Sequence, residues 1–229
     1  PAPRGMPMIP VRIDDNGDLM GHWPAVKEVT QGGQTVTIAE EELGGQTYSN
    51  QWFQYCGVET YPGVNPEADQ DNYFRYAGDP FYDWQREDVS SGDTANVSDF
   101  SDYESWGNDV GKSGLGKPAI VTWRSQGVSD ELTIPVQIIR IPPDDLEQMR
   151  GELDDAMTTW IDAAMPEDDT FIAWLDKCTH FCCVPQFKGL KGSANFGAED
   201  RVYCQCHQSV YNPYSPTEEQ FTAFPRPED

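Results

Sequence analysis

The chain has 229 residues, 39 of them acidic and 15 basic, for a formal charge of −24. That balance excludes nucleic-acid binding, which needs a basic footprint, and it repels an anionic membrane surface. The length fits one domain or two small ones. Self-repulsion on this scale opposes a compact state unless salt screens it, and at molar salt the screening length is about 3 Å. An extreme halophile is the simplest source; an acidic protein with a basic partner is the alternative. No run approaches eighteen apolar residues, so no transmembrane helix is expected, and no signal peptide is visible.

In chain order, the first ten residues carry three prolines and read as linker, with Pro1-Ala2-Pro3-Arg4-Gly5 resembling what remains when an anchor is removed. Short alternation from Met8 to Ile13 and from Gln34 to Ile38 predicts strands. Residues 58–116 are rich in Asp, Gly, Asn and Ser and predict long loops with few short strands; the aromatics spread from Tyr61 to Trp106 are too many for a disordered tract. Lys117–Trp123 and Leu132–Ile141, rich in Val, Ile and Thr, are the clearest strands. Leu146, Met149, Leu153, Met157, Trp160, Ile161 and Ala164 recur at three and four, after Pro142-Pro143 and with Asp144 or Asp145 as N-cap. This predicts one amphipathic helix over about 143–164, its Met and Trp stripe being core packing. Phe171–Leu175 then leads as a strand into the chemistry-bearing segment.

That segment holds two boxes, Cys178-Thr179-His180-Phe181-Cys182-Cys183 and Cys204-Gln205-Cys206-His207-Gln208-Ser209. Each offers one thiolate and one imidazole, so two loops can present a mixed sulfur and nitrogen set to one inorganic centre. Two of the three histidines of the chain are here. Zinc takes four such ligands tetrahedrally, but Cys-x-His is a cramped chelate, and zinc leaves the further cysteines and hydroxyls without a role. A pure disulfide framework leaves both histidines without one. Cys56, Cys182 and His22 read as packed or surface residues rather than ligands. Residues 177–214 carry Lys177, Lys188, Lys191 and Arg201 against Glu199 and Asp200, which leaves this stretch free of the acid excess and predicts a docking tip.

The two boxes resemble those of Rieske iron–sulfur proteins, whose pattern is Cys-Thr-His-x-Gly-Cys followed by Cys-x-Cys-His-Gly-Ser-x-Tyr. Every cysteine, histidine, serine and tyrosine position matches, over residues 171–214. The resemblance implies a 2Fe-2S cluster with Cys178 and Cys204 on one iron, His180 and His207 on the other, and a disulfide between Cys183 and Cys206. Two neutral imidazoles in place of two thiolates make electron uptake easier, with potentials of roughly −150 to +300 mV against about −400 mV for plant-type ferredoxins. Ser209 and Tyr211 fall where the high-potential, cytochrome bc-type branch places hydroxyl donors to the cluster, which raise the potential further. Gly116-Lys117-Pro118 looks like the strand these proteins carry before the cluster domain, and Pro225-Arg226-Pro227 like their proline loop. Cys182 and Gln208 replace the two box glycines, Asn212 stands where Asp is common, and the interval from His180 to Cys204 is longer than usual. The chain stops where the family returns strands to the base sheet, so the N-terminal part is expected to supply them unless the sequence is truncated.

The fold expected is mainly β: an antiparallel Rieske-type β-sandwich or three-sheet fold with one helix and a small cluster-binding subdomain. The divisions are a linker (1–10), a base domain (11–170), the cluster-binding subdomain (171–214), and a proline loop and tail (215–229). The expected function is one-electron transfer in the soluble head of the iron–sulfur subunit of a quinol-oxidising complex, a redox subunit rather than a stand-alone enzyme. The resemblance further implies a cytochrome b-type subunit and quinol as partners, with His207 and His180 at the quinol, an acceptor that is a c-type cytochrome or a copper protein, and a place on the outer face of the cell membrane of a halophilic archaeon. Phe181, Val184, Pro185 and Pro225 are candidates for an apolar rim. The alternative is a free-standing Rieske carrier or the small subunit of a molybdenum-type oxidoreductase of an arsenite or nitrate pathway.

Overall fold

A computed structural model describes the chain except for residues 1–4, 24–25, 40–41, 44–45, 48–55, 65–71, 152, 167–169, 218–219 and 225–229. It is mainly antiparallel β with a few short helices. The N-terminal strands are β1 (Met8–Ile9), β2 (Val11–Ile13), β3 (Leu19–Gly21), β4 (Val26–Gln31), β5 (Gln34–Ala39), β6 (Glu42–Leu43) and β7 (Gln46–Thr47). There follow β8 (Phe74–Tyr76), α1 (Asp83–Asp88), β9 (Lys117–Trp123), β10 (Ile134–Arg140), α2 (Pro143–Gly151), α3 (Asp155–Ala164) and β11 (Phe171–Leu175). The last part comprises β12 (Gln186–Phe187), β13 (Val202–Cys204), β14 (Ser209–Thr217) and β15 (Gln220–Phe224).

The base is a five-stranded sheet in the order β1-β11-β10-β9-β8. Its central strands are apolar almost throughout because both faces are covered. Along β11, Phe171, Ala173 and Leu175 enter one core, while Ile172 and Trp174 enter the other, as the period-two alternation of a strand requires. The first core lies under Phe74, Trp123 and Phe100. The second lies under α2 and α3, through Met149, Trp160 and Ile161, and reaches Cys178, Cys204 and Tyr211. The expected Met and Trp stripe is therefore core packing. Gly116 enters β9 at φ 93°, and a Cβ there would stand 2.5 Å from the Arg140 carbonyl oxygen across the sheet. Only glycine allows that approach.

Three expectations change. Met8–Ile9, inside the stretch read as linker, is an edge strand buried against β11, so the N-terminal part does supply a strand to the base sheet. The single helix over 143–164 is two. Asp154 caps α3 by accepting from the Met157 N–H at 2.9 Å, and an N-cap oxygen that satisfies an orphan donor competes with continued helix. Gly151, at the end of α2, is a poor helix former. The second sheet, in the order β12-β13-β14-β15, runs through Phe224 and so past residue 214. The Pro225-Arg226-Pro227 segment lies outside the described residues.

A buried polar clamp joins the two sheets. The Tyr82 hydroxyl donates to the Phe187 carbonyl at 2.6 Å, Gln137 Nε2 donates to the Tyr82 oxygen, and the Phe187 N–H donates to Gln137 Oε1 at 3.2 Å. Beside it Asp176 is fully buried, and burial holds its carboxyl well above the usual range. Gln137→Leu leaves the Phe187 N–H without its partner and should cost about 1–3 kcal/mol, measured as a lowered denaturant midpoint with unchanged slope. A cost near zero would show that the clamp does not hold the sheets together.

Candidate metal centre

The second box is the tip of a hairpin. β13 and β14 pair with Cys204 opposite Ser209 and Val202 opposite Tyr211, and the Gln208 N–H closes the loop on the Cys204 carbonyl at 2.9 Å. The first box follows β11 and closes on itself, with the Cys178 N–H donating to the Cys183 carbonyl at 2.7 Å and the Cys182 N–H to the Cys178 carbonyl at 2.9 Å. Each loop turns through a left-handed residue, Cys182 at φ 65° and Gln208 at φ 62°. These are the two positions where the resemblance expects glycine, and the backbone keeps the conformation glycine favours.

A disulfide between Cys183 and Cys206 ties the loops together. Cys178 and Cys204 remain free thiols, 1% and 0% exposed, and their side chains are within hydrogen-bonding reach of each other. Each sulfur also accepts from two backbone N–H groups of its own loop: His180 and Phe181 for Cys178, Cys206 and His207 for Cys204. The Tyr211 oxygen lies 3.1 Å from Cys178 Sγ and accepts from the Thr179 N–H at 3.1 Å.

These groups set the ionisation of the pair. Cys204 foremost, with Tyr211 and the two N–H groups, holds the Cys178 thiol down at about 5 against the opposing effect of burial. Cys204 is pushed up, since it would have to ionise beside a thiolate in a buried place. With Cys178 as the thiolate, Tyr211 is the donor in their hydrogen bond, and burial together with that charge holds the phenol in its protonated form. Ser209 Oγ is buried and has no hydrogen-bond partner among the described residues.

The imidazoles lie outward of the sulfurs. His207 is exposed and His180 half-buried, with ring centroids 4.8 Å apart at 81°. Phe181, 65% exposed, lies 4.9 Å from the His207 ring. Of the other expected rim residues, Val184 is half-buried, Pro185 is buried, and Pro225 lies outside the described residues. Cys178, His180, Cys204, His207, Ser209 and Tyr211 are thus gathered at one end of the second sheet, as a sulfur pair beneath and a nitrogen pair above.

Two features escaped the sequence reading. Cys56 and Cys182, set aside as packed or surface residues, are joined in a second disulfide across 126 residues. The even cysteine count was a signal, since two remain after two ligands and one pair are assigned, but a count does not give the pairing. Lys188, counted toward a docking tip free of the acid excess, is buried, 3.7 Å from Asp200 and bonded to the Lys112 carbonyl, and Lys191 pairs with Asp109. Two of the cations that offset the acid excess here are thus engaged with carboxylates.

No family model, curated protein or solved structure matches the chain.

Two measurements test the local geometry. With no metal bound, one thiolate per chain should be visible by its ultraviolet absorbance at neutral pH and should disappear on acidification with a midpoint at about 5; thiolate that forms only near the ordinary value of about 8.5 would contradict the coupled pair. Gln208→Gly should raise stability by up to about 1 kcal/mol in thermal unfolding, because a left-handed residue is strained unless it is glycine. A marked loss would mean that the Gln208 side chain itself holds the hairpin tip.

Proposed function

We propose that this protein is a one-electron carrier that holds a Rieske-type 2Fe-2S cluster, with Cys178 and Cys204 on the inner iron and His180 and His207 on the outer one. The observation that carries the reading is the pairing of donors: two buried thiols converge on each other, and two imidazoles converge above them at the surface. A single tetrahedral ion would draw four donors round one point. Among the described residues the group of three within 4.8 Å of one another is Cys183, Cys204 and Cys206, and two of those are spent in the disulfide. The unpartnered Ser209 hydroxyl fits the same reading, since a buried donor without a partner is costly unless a bound group satisfies it.

Bound there, the cluster supplies a one-electron couple of high potential. The chain's own groups then have separable tasks. Tyr211 and the four loop N–H groups offset negative charge on the sulfurs, Ser209 adds a further donor, and burial of both thiols keeps water from them. His207 is exposed and His180 half-buried, and a negative charge added beneath them on reduction would raise their proton affinity. Phe181 shields one side of the His207 ring.

The finer reading is the head of the iron–sulfur subunit of a quinol-oxidising, cytochrome bc-type complex. It is supported by the exposed His207 edge beside an exposed aromatic ring, which suits a flat amphipathic donor such as quinol. A cytochrome b-type subunit and a c-type cytochrome or copper-protein acceptor are the corresponding partners. Two disulfides fit an oxidising compartment such as the outer face of a membrane. Among the described residues no helix is long and apolar enough to cross a membrane.

Redox titration followed by EPR tests the proposal. The expected midpoint lies within roughly −150 to +300 mV and falls above the imidazole pKa by about 59 mV per pH unit for each proton coupled to the electron. Tyr211→Phe should lower it by about 20–60 mV, the equivalent of one hydrogen bond of about 0.5–1.5 kcal/mol. A colourless, iron-free protein ends the proposal. A ferredoxin-range potential that is flat with pH would remove the quinol role, and co-purification with a molybdenum subunit would favour the other oxidoreductase assignment.

A further inference from the structure

The Cys56–Cys182 disulfide joins the first ligand loop to a different part of the molecule from its neighbour. Cys182 and Cys183 are adjacent, yet Cys183 is bonded to the second ligand loop through Cys206, and Cys182 to the turn that begins 56–64. That turn is fixed to the base. Val58 is fully buried in the core beneath Trp123, and the Gly63 carbonyl accepts from Nε of the buried Arg124 at 2.7 Å, directly after β9. Cys56 Sγ also lies 3.8 Å from the Cys178 carbonyl oxygen, the same oxygen that accepts from the Cys182 N–H. The disulfide therefore touches the loop at the hydrogen bond that closes it.

We infer that Cys56 and Cys182 are positioning residues, whose disulfide clamps the first ligand loop to the base domain and keeps Cys178 and His180 in place independently of the Cys183–Cys206 tie. The consequence for iron retention rests on the cluster reading; the consequence for the loop does not. With a clamp on each side, the loop opens freely only when both are gone. Position 182 explains the departure from glycine in the first box: the left-handed turn is retained at φ 65°, and the side chain that glycine lacks supplies the bond.

The test compares the intact protein with C56S/C182G, with C183S/C206S, and with the fourfold combination. Glycine at 182 keeps the left-handed turn without strain, so loss of the bond is separated from backbone strain. Hydrogen exchange of the amides over 178–183 should quicken at least about fivefold in C56S/C182G and far more in the fourfold variant, the two pairs being non-additive. Amides of the 204–209 hairpin should be little changed in C56S/C182G. Iron release to a chelator should quicken in the same order. Unchanged exchange over 178–183 would overturn the inference whether or not iron is bound. Peptide mapping of the intact, unreduced protein is the second arm and needs no variant to fold: a 56–182 linked peptide supports the clamp, and free thiols at both positions overturn it. Absence of iron with quickened exchange would count against the cluster while leaving the clamp standing.

Discussion

Two buried thiols within hydrogen-bonding reach of each other cannot both ionise unless something offsets their charge, and with no metal bound the donors around them favour one thiolate, on Cys178. Each sulfur sits at the mouth of a tight loop whose next backbone N–H groups point back at it. Such donors cost no side-chain entropy once the loop is formed, and they favour the charged form over the neutral one. Tyr211 adds a phenol to one sulfur, and it comes from two residues beyond Ser209 on the strand that forms the hairpin, so the same register that sets the loop also aims the donor. The sulfur pair thus depends on loop closure, and the covalent ties guard loop closure.

The base sheet matters to this arrangement as a platform. Because both of its faces are covered, a displacement at one strand is felt in two cores, and close-packed interiors transmit such shifts rather than absorb them. β11 carries Trp174 and Ile172 into the core that also holds Cys178, Cys204 and Tyr211, so the ligand loops share packing with α2 and α3. The Tyr82, Gln137 and Phe187 clamp adds directional contacts where apolar packing alone would allow the second sheet to slide. Asp176, its carboxyl held well above the usual range by burial, stands beside that clamp.

The acid excess takes a distinct form at the site. Residues 177–214 escape it in count, yet Lys188 is internal and Lys191 is engaged with Asp109.

Much was legible from residue order because the signals are local. The apolar run Phe171–Leu175, the runs rich in Val, Ile and Thr at 117–123 and 132–141, and the paired boxes each fix a strand or a loop within a few residues of chain. Cys183 and Cys206 followed only through resemblance, and the helix over 143–164 was read as continuous because its apolar period runs across the break that the Asp154 cap introduces. What tertiary structure alone decided was long-range. It placed Met8–Ile9 on the edge of the base sheet, brought Cys56 to Cys182 across 126 residues, took Lys188 out of the surface, and set sulfur beneath nitrogen at the tip. Residue identity specifies which atoms can bond, but contact between distant segments depends on how two cores stack, and that is a property of the packed whole rather than of any window of sequence.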